Sequence, residues 1–210
     1  MLAVVAVGAH PDDIELGCGG TLALHKMCGH KVYLLVLTSG EASGDPSIRE
    51  EECRKSADIL RADGLVFGGL QDTFVHDGRE TINIIEDLIL KTEPDVIYCP
   101  AIKDTHQDHR NAGLASLAAG RRCKRILLYE GASTQRDFCP QVFVDIDKTF
   151  EVKLKAVSSF GSQLINGGSY SRATKSVEGL AKVRGFQAGL NLAEAFEVGK
   201  FMLEYMFQQR

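Results

Sequence analysis

The sequence predicts an α/β protein with a mostly parallel sheet. Three observations carry that prediction. The apolar runs Leu2–Val7, Lys31–Thr38 and Asp95–Cys99 are continuous rather than alternating, as in strands covered on both faces. Between them lie stretches with helical periodicity. The resulting order of strand, helix, strand, helix, strand is the signature of parallel strands joined by crossover helices. At 210 residues and 44% hydrophobic, the chain suits one domain, 1–210, with a substantial core.

Each element has a local reason. Gly8 ends the opening strand, residues from Gly19 to Met27 form the first helix, and Gly29 caps it. The turn-rich loop SGEASGDP follows the second strand. Ser47 and Glu50 make an S-x-x-E capping box that opens a helix through Leu60. Leu65–Phe67 reads as a short strand, followed by a glycine-rich loop to Gly78. Ile82, Ile85, Leu88 and Ile89 mark the inward face of a helix that closes before Pro94. Beyond the strand DVIYC, a helix is expected at Asn111–Ala119 and strands at Arg125–Tyr129 and Val142–Ile146. From Lys148 onward the pattern changes to helices separated by a Gly/Ser-rich loop, 165–172.

Composition excludes several classes. A net charge of -4 and a pI near 5.9 argue against a nucleic-acid binder. The basic group Arg121, Arg122, Lys124 and Arg125 follows a predicted helix, where positive charge is favourable anyway. No stretch approaches the ~20 apolar residues of a membrane span, and the opening run is too short for a signal peptide. Cysteines 18, 28, 53, 99, 123 and 139 are scattered without a C-x-x-C pair. The expectation is a cytoplasmic protein with reduced, mostly buried thiols and no membrane partner.

The chemistry sits in two segments. AHPDDIELGCGGTL (9–22) follows the first strand and brings His10, Asp12 and Asp13. THQDH (105–109) follows the DVIYC strand and brings His106, Asp108 and His109. Parallel strands present their carboxyl ends along one edge, so topology delivers both segments to one crevice. His10, Asp13 and one or two of the later histidines supply three or four nitrogen and oxygen ligands. That set suits Zn²⁺ with a position left open for water. Either segment alone is ordinary turn chemistry; the pairing carries the argument. Spacing does not choose between Asp12 and Asp13, nor between His106 and His109. His25, His30 and His76 lack such company and read as surface or packing residues.

In motif, order and position, AHPDDIELGCGGTL and HQDH resemble the LmbE-like, or PIG-L, family of zinc-dependent N-deacetylases. LAEAFEV (192–198) resembles that family's C-terminal segment. The resemblance implies a Rossmann-like three-layer sandwich and removal of acetyl from an N-acetylglucosamine-type substrate. It implies one Zn²⁺ on His10, Asp13 and His109, with Asp12 as general base. His106 is then placed to donate a hydrogen bond or proton as the oxyanion forms, with Asp108 keeping it oriented and cationic. Asp72, in LQDTF, resembles the family's Asp in the corresponding loop and either binds sugar hydroxyls or serves ordinary turn chemistry. Arg49, in the first turn of its helix, either reaches a substrate hydroxyl or anionic group or pairs with Glu52 on the surface. The loop from Ser39 begins like the family's TSGE but continues as ASGDP, which leaves the aglycone open. Arg136 and the 165–172 loop are candidate lining residues without an assigned role. The expected partner is a small N-acetylated amino sugar, and a homo-oligomer is compatible with the sequence.

Three rivals are weaker. Gly17, Gly19 and Gly20 suggest a nucleotide cradle, but the spacing misses G-x-G-x-x-G, and Asp12, Asp13 and Glu15 would repel a pyrophosphate. A metal-dependent phosphoesterase fits the ligands, but the sequence shows no second carboxylate-rich shell. A serine hydrolase lacks its G-x-S-x-G elbow.

Overall fold

The computed structural model describes residues 1–165 and 170–203, with side chains described outside 164–173. At its centre β1 (Ala3–Gly8) lies between β2 (Lys31–Thr38) and β4 (Val96–Pro100), parallel to both. Beyond β2 comes β3 (Gly64–Leu70), and beyond β4 comes β5 (Arg125–Tyr129), again parallel. The chain runs outward from β1 to β3 on one side, then crosses back to β4. The loops leaving β1 and β4 therefore part at the switch point, where open α/β sheets form their crevice.

Alternate residues of the buried strands feed two cores. Val4 and Ala6 pack with Ile14, Cys18 and Leu22 of α1 (Asp13–Met27), with α2 (Pro46–Leu60) and α5 (Phe150–Val157) on the same face. Val5 and Val7 pack with Ile85 of α3 (Arg79–Thr92) and Ala112 of α4 (Gln107–Ala119) on the other. This is the expected three-layer arrangement. Each fully buried Val, Leu or Ile contributes about 1.5–3 kcal/mol, and their double-sided cover explains why the strands read as unbroken apolar runs.

The C-terminal third departs from expectation. β6 (Val142–Asp145) is joined by β7 (Ala193–Phe201), an antiparallel strand inserted between β5 and β6. The sheet is thus seven-stranded, in the order β3-β2-β1-β4-β5-β7-β6. The sequence pattern gave only helices there, because Ala and Glu are poor strand formers. Tertiary contacts override them: Phe196 is fully buried, and Glu194 accepts the Gly20 and Thr21 N–H groups at 2.9 and 2.7 Å while pairing with Lys153 of α5. Helices α6 (Gly161–Ile165) and α7 (Tyr170–Ala188) precede β7. Of the expected 165–172 loop, residues 166–169 lie outside the described residues; Tyr170 already opens α7.

Three helix starts also shift, and two of them shape the site. α1 begins at Asp13 rather than Gly19 and breaks at Cys18, whose φ of -141° is not helical. Gly17 is required there, since a Cβ would sit 2.1 Å from the Tyr129 ring. α2 is capped by Asp45, which accepts the Ser47 and Ile48 N–H groups, with Pro46 in the first turn; the Ser47 box does not form. α4 begins at Gln107 rather than Asn111, so HQDH is a helix start and not a loop. No helix among the described residues is long and apolar enough to cross a membrane.

Candidate metal centre and active site

The turn after β1 is fixed by one carboxylate oxygen. Asp13 Oδ2 accepts the Ala9 and His10 N–H groups at 3.0 and 2.9 Å, which leaves Oδ1 free to face away from the turn. Asp12 sits at φ 104°, a left-handed conformation that costs a non-glycine residue on the order of 1–3 kcal/mol. Arg49 braces this turn: its guanidinium donates to the carbonyls of Pro11 (2.8 Å) and Gly40 (2.7 Å) and to Ser43 Oγ (2.6 Å), and lies 3.8 Å from the Asp12 carboxylate.

The start of α4 delivers the other half. His106 is its N-cap, and His109 lies in its first turn. His109 Nε2 approaches Asp13 Oδ1 to 3.1 Å and His10 Nδ1 to 3.2 Å, and His10 Nδ1 is 3.5 Å from Asp13 Oδ2. The three predicted donors, from strands adjacent in the sheet, converge on one point. The His106 ring stacks on His109 at 4.6 Å between centroids, and ligand atoms of His10, His106 and His109 all lie within 4.8 Å of one another. Residues His10, Asp12, Asp13, Arg49, His106 and His109 border an open cavity of about 300 Å³, the small end of ligand-pocket sizes.

Charge is concentrated here. Burial alone would lower His10, but the carboxylates of Asp108 and Asp13 raise it to about 11. Burial likewise opposes Asp13 and Asp104 at His109, and the carboxylates win, raising it to about 10. Asp13 is held well below the usual carboxylate range against its own burial by those two imidazoles. Asp12 goes the other way: burial and the neighbouring Asp13 charge push it up to about 7. Two carboxylates adjacent in sequence are thus split in proton affinity, one fit for a cation and one for proton transfer.

Several expectations are corrected. The Asp108 carboxylate does not orient His106. It is fully buried, faces His10 Nε2 at 3.2 Å and accepts the Thr73 N–H at 2.7 Å. What touches His106 is the Asp108 backbone, whose N–H donates to Nδ1 at 3.2 Å. Nor does the site favour a cationic His106: burial, then the charges of His109 and His10, lower its pKa. Asp72 spends both oxygens inside the protein, one 3.0 Å from His10 Nε2 and one on the Ala42 N–H. Arg49 is buried rather than paired with Glu52, whose carboxylate binds Ser162. Arg136 is exposed and does not border the cavity. The absence of a second carboxylate-rich shell was an artefact of linear spacing, since Asp72 and Asp108 flank His10 Nε2.

Two residues escaped sequence reasoning. Asp104 is 1% exposed, accepts the His106 N–H at 2.8 Å and faces His109 Nδ1 at 3.4 Å. Burial opposes its charge, yet hydrogen bonds from His109, Ser133 and the His106 N–H bring it down to about 2. Its place two residues before His106 was the available signal. Ser133, whose Oγ lies 3.1 Å from His109 Nδ1, left none.

A Rossmann-like α/β sheet with imidazoles and carboxylates gathered beyond adjacent parallel strands is an enzyme scaffold whose side chains could hold a cation. The chain belongs to the PIG-L family, whose model, described as GlcNAc-PI de-N-acetylase, matches residues 5–120. Every histidine and aspartate of the centre lies in that span. Over 167 residues the chain is 38% identical to "Uncharacterized deacetylase YaiS" of Escherichia coli, spanning 76% of this chain and 90% of that one. It is 33% identical over 188 residues to the diacetylchitobiose deacetylase of Thermococcus kodakarensis, spanning 76% and 69%. The 4-oxalmesaconate hydratase of Pseudomonas putida is 23% identical over 220 residues, spanning 90% and 82%. Among solved structures, the conserved protein TT1542 from Thermus thermophilus superposes with a TM-score of 0.87 at 28% identity, covering all of both chains.

Proposed function

We propose that this chain is a zinc-dependent N-deacetylase that hydrolyses the acetamide of an N-acetylglucosamine-type substrate. We read 1–210 as one catalytic domain working in the cytoplasm, a placement supported by six unpaired thiols. The observation that carries the reading is the convergence of His10 Nδ1, Asp13 and His109 Nε2. His109 Nε2 lies 3.2 Å from His10 Nδ1 and 3.1 Å from Asp13 Oδ1, close to the edge of a tetrahedral zinc site, about 3.3 Å for bonds of about 2.0–2.1 Å, while the 3.5 Å contact of His10 Nδ1 is with the other Asp13 oxygen.

His10, Asp13 and His109 would hold the ion. When bound, zinc supplies Lewis acidity, polarising a carbonyl and making water acidic near neutral pH. Asp12, raised to about 7 and bordering the cavity, takes a proton from the attacking water and returns it to the departing amine nitrogen. His106 accepts at Nδ1 from a backbone N–H, so its neutral ring carries its hydrogen on Nε2. That hydrogen is available to the developing oxyanion. Arg49, committed to three protein oxygens, holds the strained Asp12 turn in place instead of binding sugar directly.

The test is release of free amine from N-acetylglucosamine and N,N'-diacetylchitobiose by zinc-loaded protein, compared with Asp12→Ala. Amine release by the parent and almost none by a variant that still binds zinc supports the reading. No release from either substrate counts against it. The hydratase relative favours a second reading, addition of water to 4-oxalmesaconate at the same centre. Turnover of that compound without amine release would select it.

A further inference from the structure

We propose that Asp104 and Ser133 form a positioning clamp that makes His109, and not His106, the metal ligand of THQDH. The proposal rests on the reading of His109 as a zinc ligand. It adds a reason for a choice that spacing leaves open.

The argument lies in what each imidazole meets on its outward side. His109 Nδ1 faces two acceptors, Ser133 Oγ at 3.1 Å and Asp104 Oδ1 at 3.4 Å. A nitrogen facing acceptors keeps its hydrogen, so in the neutral ring the lone pair falls on Nε2, the atom beside Asp13 and His10. His10 is set the same way in mirror image: Nε2 faces the carboxylates of Asp72 and Asp108, which leaves the Nδ1 lone pair for the ion. His106 differs. Its Nδ1 meets a donor, the Asp108 N–H, so its hydrogen points elsewhere and it makes a poor ligand through Nε2. Two rings backed by acceptors bind metal; the ring backed by a donor remains a hydrogen-bond donor.

The clamp is held from both sides. Asp104 Oδ1 accepts the His106 N–H, and its Oδ2 accepts the Thr134 hydroxyl at 3.1 Å. The loops after β4 and β5 are laced together, Thr105 donating twice to the Ser133 carbonyl at 3.0 Å and Gln135 N–H to the Lys103 carbonyl at 2.9 Å. Ser133 reaches the ring with its side chain and the neighbouring loop with its carbonyl. Ser133→Ala therefore removes the hydroxyl shared by the His109 ring and Asp104 and leaves the carbonyl that laces the loops.

Zinc dissociation constants, measured by competition with a chromophoric chelator, test the clamp in the full chain. Metal-binding partners of this kind are worth about 10–100-fold in affinity. Asp104→Ala is expected to weaken zinc by about 100-fold, and Asp104→Asn and Ser133→Ala by about 10-fold, with the thermal midpoint of metal-free Ser133→Ala unchanged. In a His109→Ala background, Ser133→Ala should add no further loss. The visible spectrum of the cobalt-loaded protein should shift in Asp104→Asn and Ser133→Ala. Parent-like affinity in both of these, with His109→Ala clearly weakened, overturns the clamp and leaves the zinc reading standing. Parent-like affinity in His109→Ala itself overturns both.

Discussion

Residues 5–120 and the C-terminal third solve opposite problems. The first region gathers charge at a cavity: two raised imidazoles, a split pair of aspartates and a strained backbone at Asp12. The second encloses apolar surface and one buried ion pair, Lys153 with Glu194, that ties α5 and β7 to the break in α1. Buried charges that border an open cavity serve chemistry. Charges sealed with every oxygen occupied serve geometry. Substitutions in the two regions should accordingly fail in different ways.

The largest effect belongs to the first region. Asp12→Ala is expected to lower kcat by about 10²–10⁴ while zinc content by atomic emission stays near one per chain. Equal loss of metal in Asp12→Ala and His109→Ala would place Asp12 among the ligands and blur the division. Next comes the second region. Lys153→Met leaves Glu194 buried without its cation and should cost about 3–5 kcal/mol in denaturant unfolding, with zinc stoichiometry unchanged. A neutral result would mean that the Gly20 and Thr21 N–H groups suffice for Glu194.

Proton linkage sharpens the contrast further. The surrounding carboxylates raise His10 to about 11 and His109 to about 10, so binding an ion should displace protons from this pair. Zinc affinity should therefore rise with pH, by up to about 100-fold per unit for two protons, and calorimetry in buffers of different ionisation enthalpy counts them. The smallest effect lies at the C-terminal end of α1. His25 hydrogen-bonds Tyr98, and burial, aided by His30, lowers its pKa from 6.5 to about 4. The unfolded chain then binds the extra proton between those values. That contribution is whole above pH 6.5 and is lost as pH falls toward 4, by about 3 kcal/mol. His25→Gln should flatten this part of the stability profile.

The sequence made legible what is local or set by topology. Continuous apolar runs marked β1, β2 and β4, and parallel order alone brought His10 to His109. It hid what depends on long-range partners. β7 is a strand because Phe196 and Glu194 find burial and N–H donors elsewhere, against their local preference. The glycines of α1 looked like a phosphate turn or a late helix start; Gly17 and Gly20 are there because Tyr129 and Ile146 press against them. Asp72 and Asp108 looked like sugar-binding and His106-orienting groups, because nothing in the spacing shows that both reach the outer nitrogen of His10.

The most direct test of the centre is anomalous diffraction at the zinc edge from crystals of the zinc-loaded protein. One peak within about 2.0–2.2 Å of His10 Nδ1, His109 Nε2 and an Asp13 oxygen is the predicted result. A peak lodged instead between His10 Nε2, Asp72 and Asp108, or none in the cavity, would contradict it.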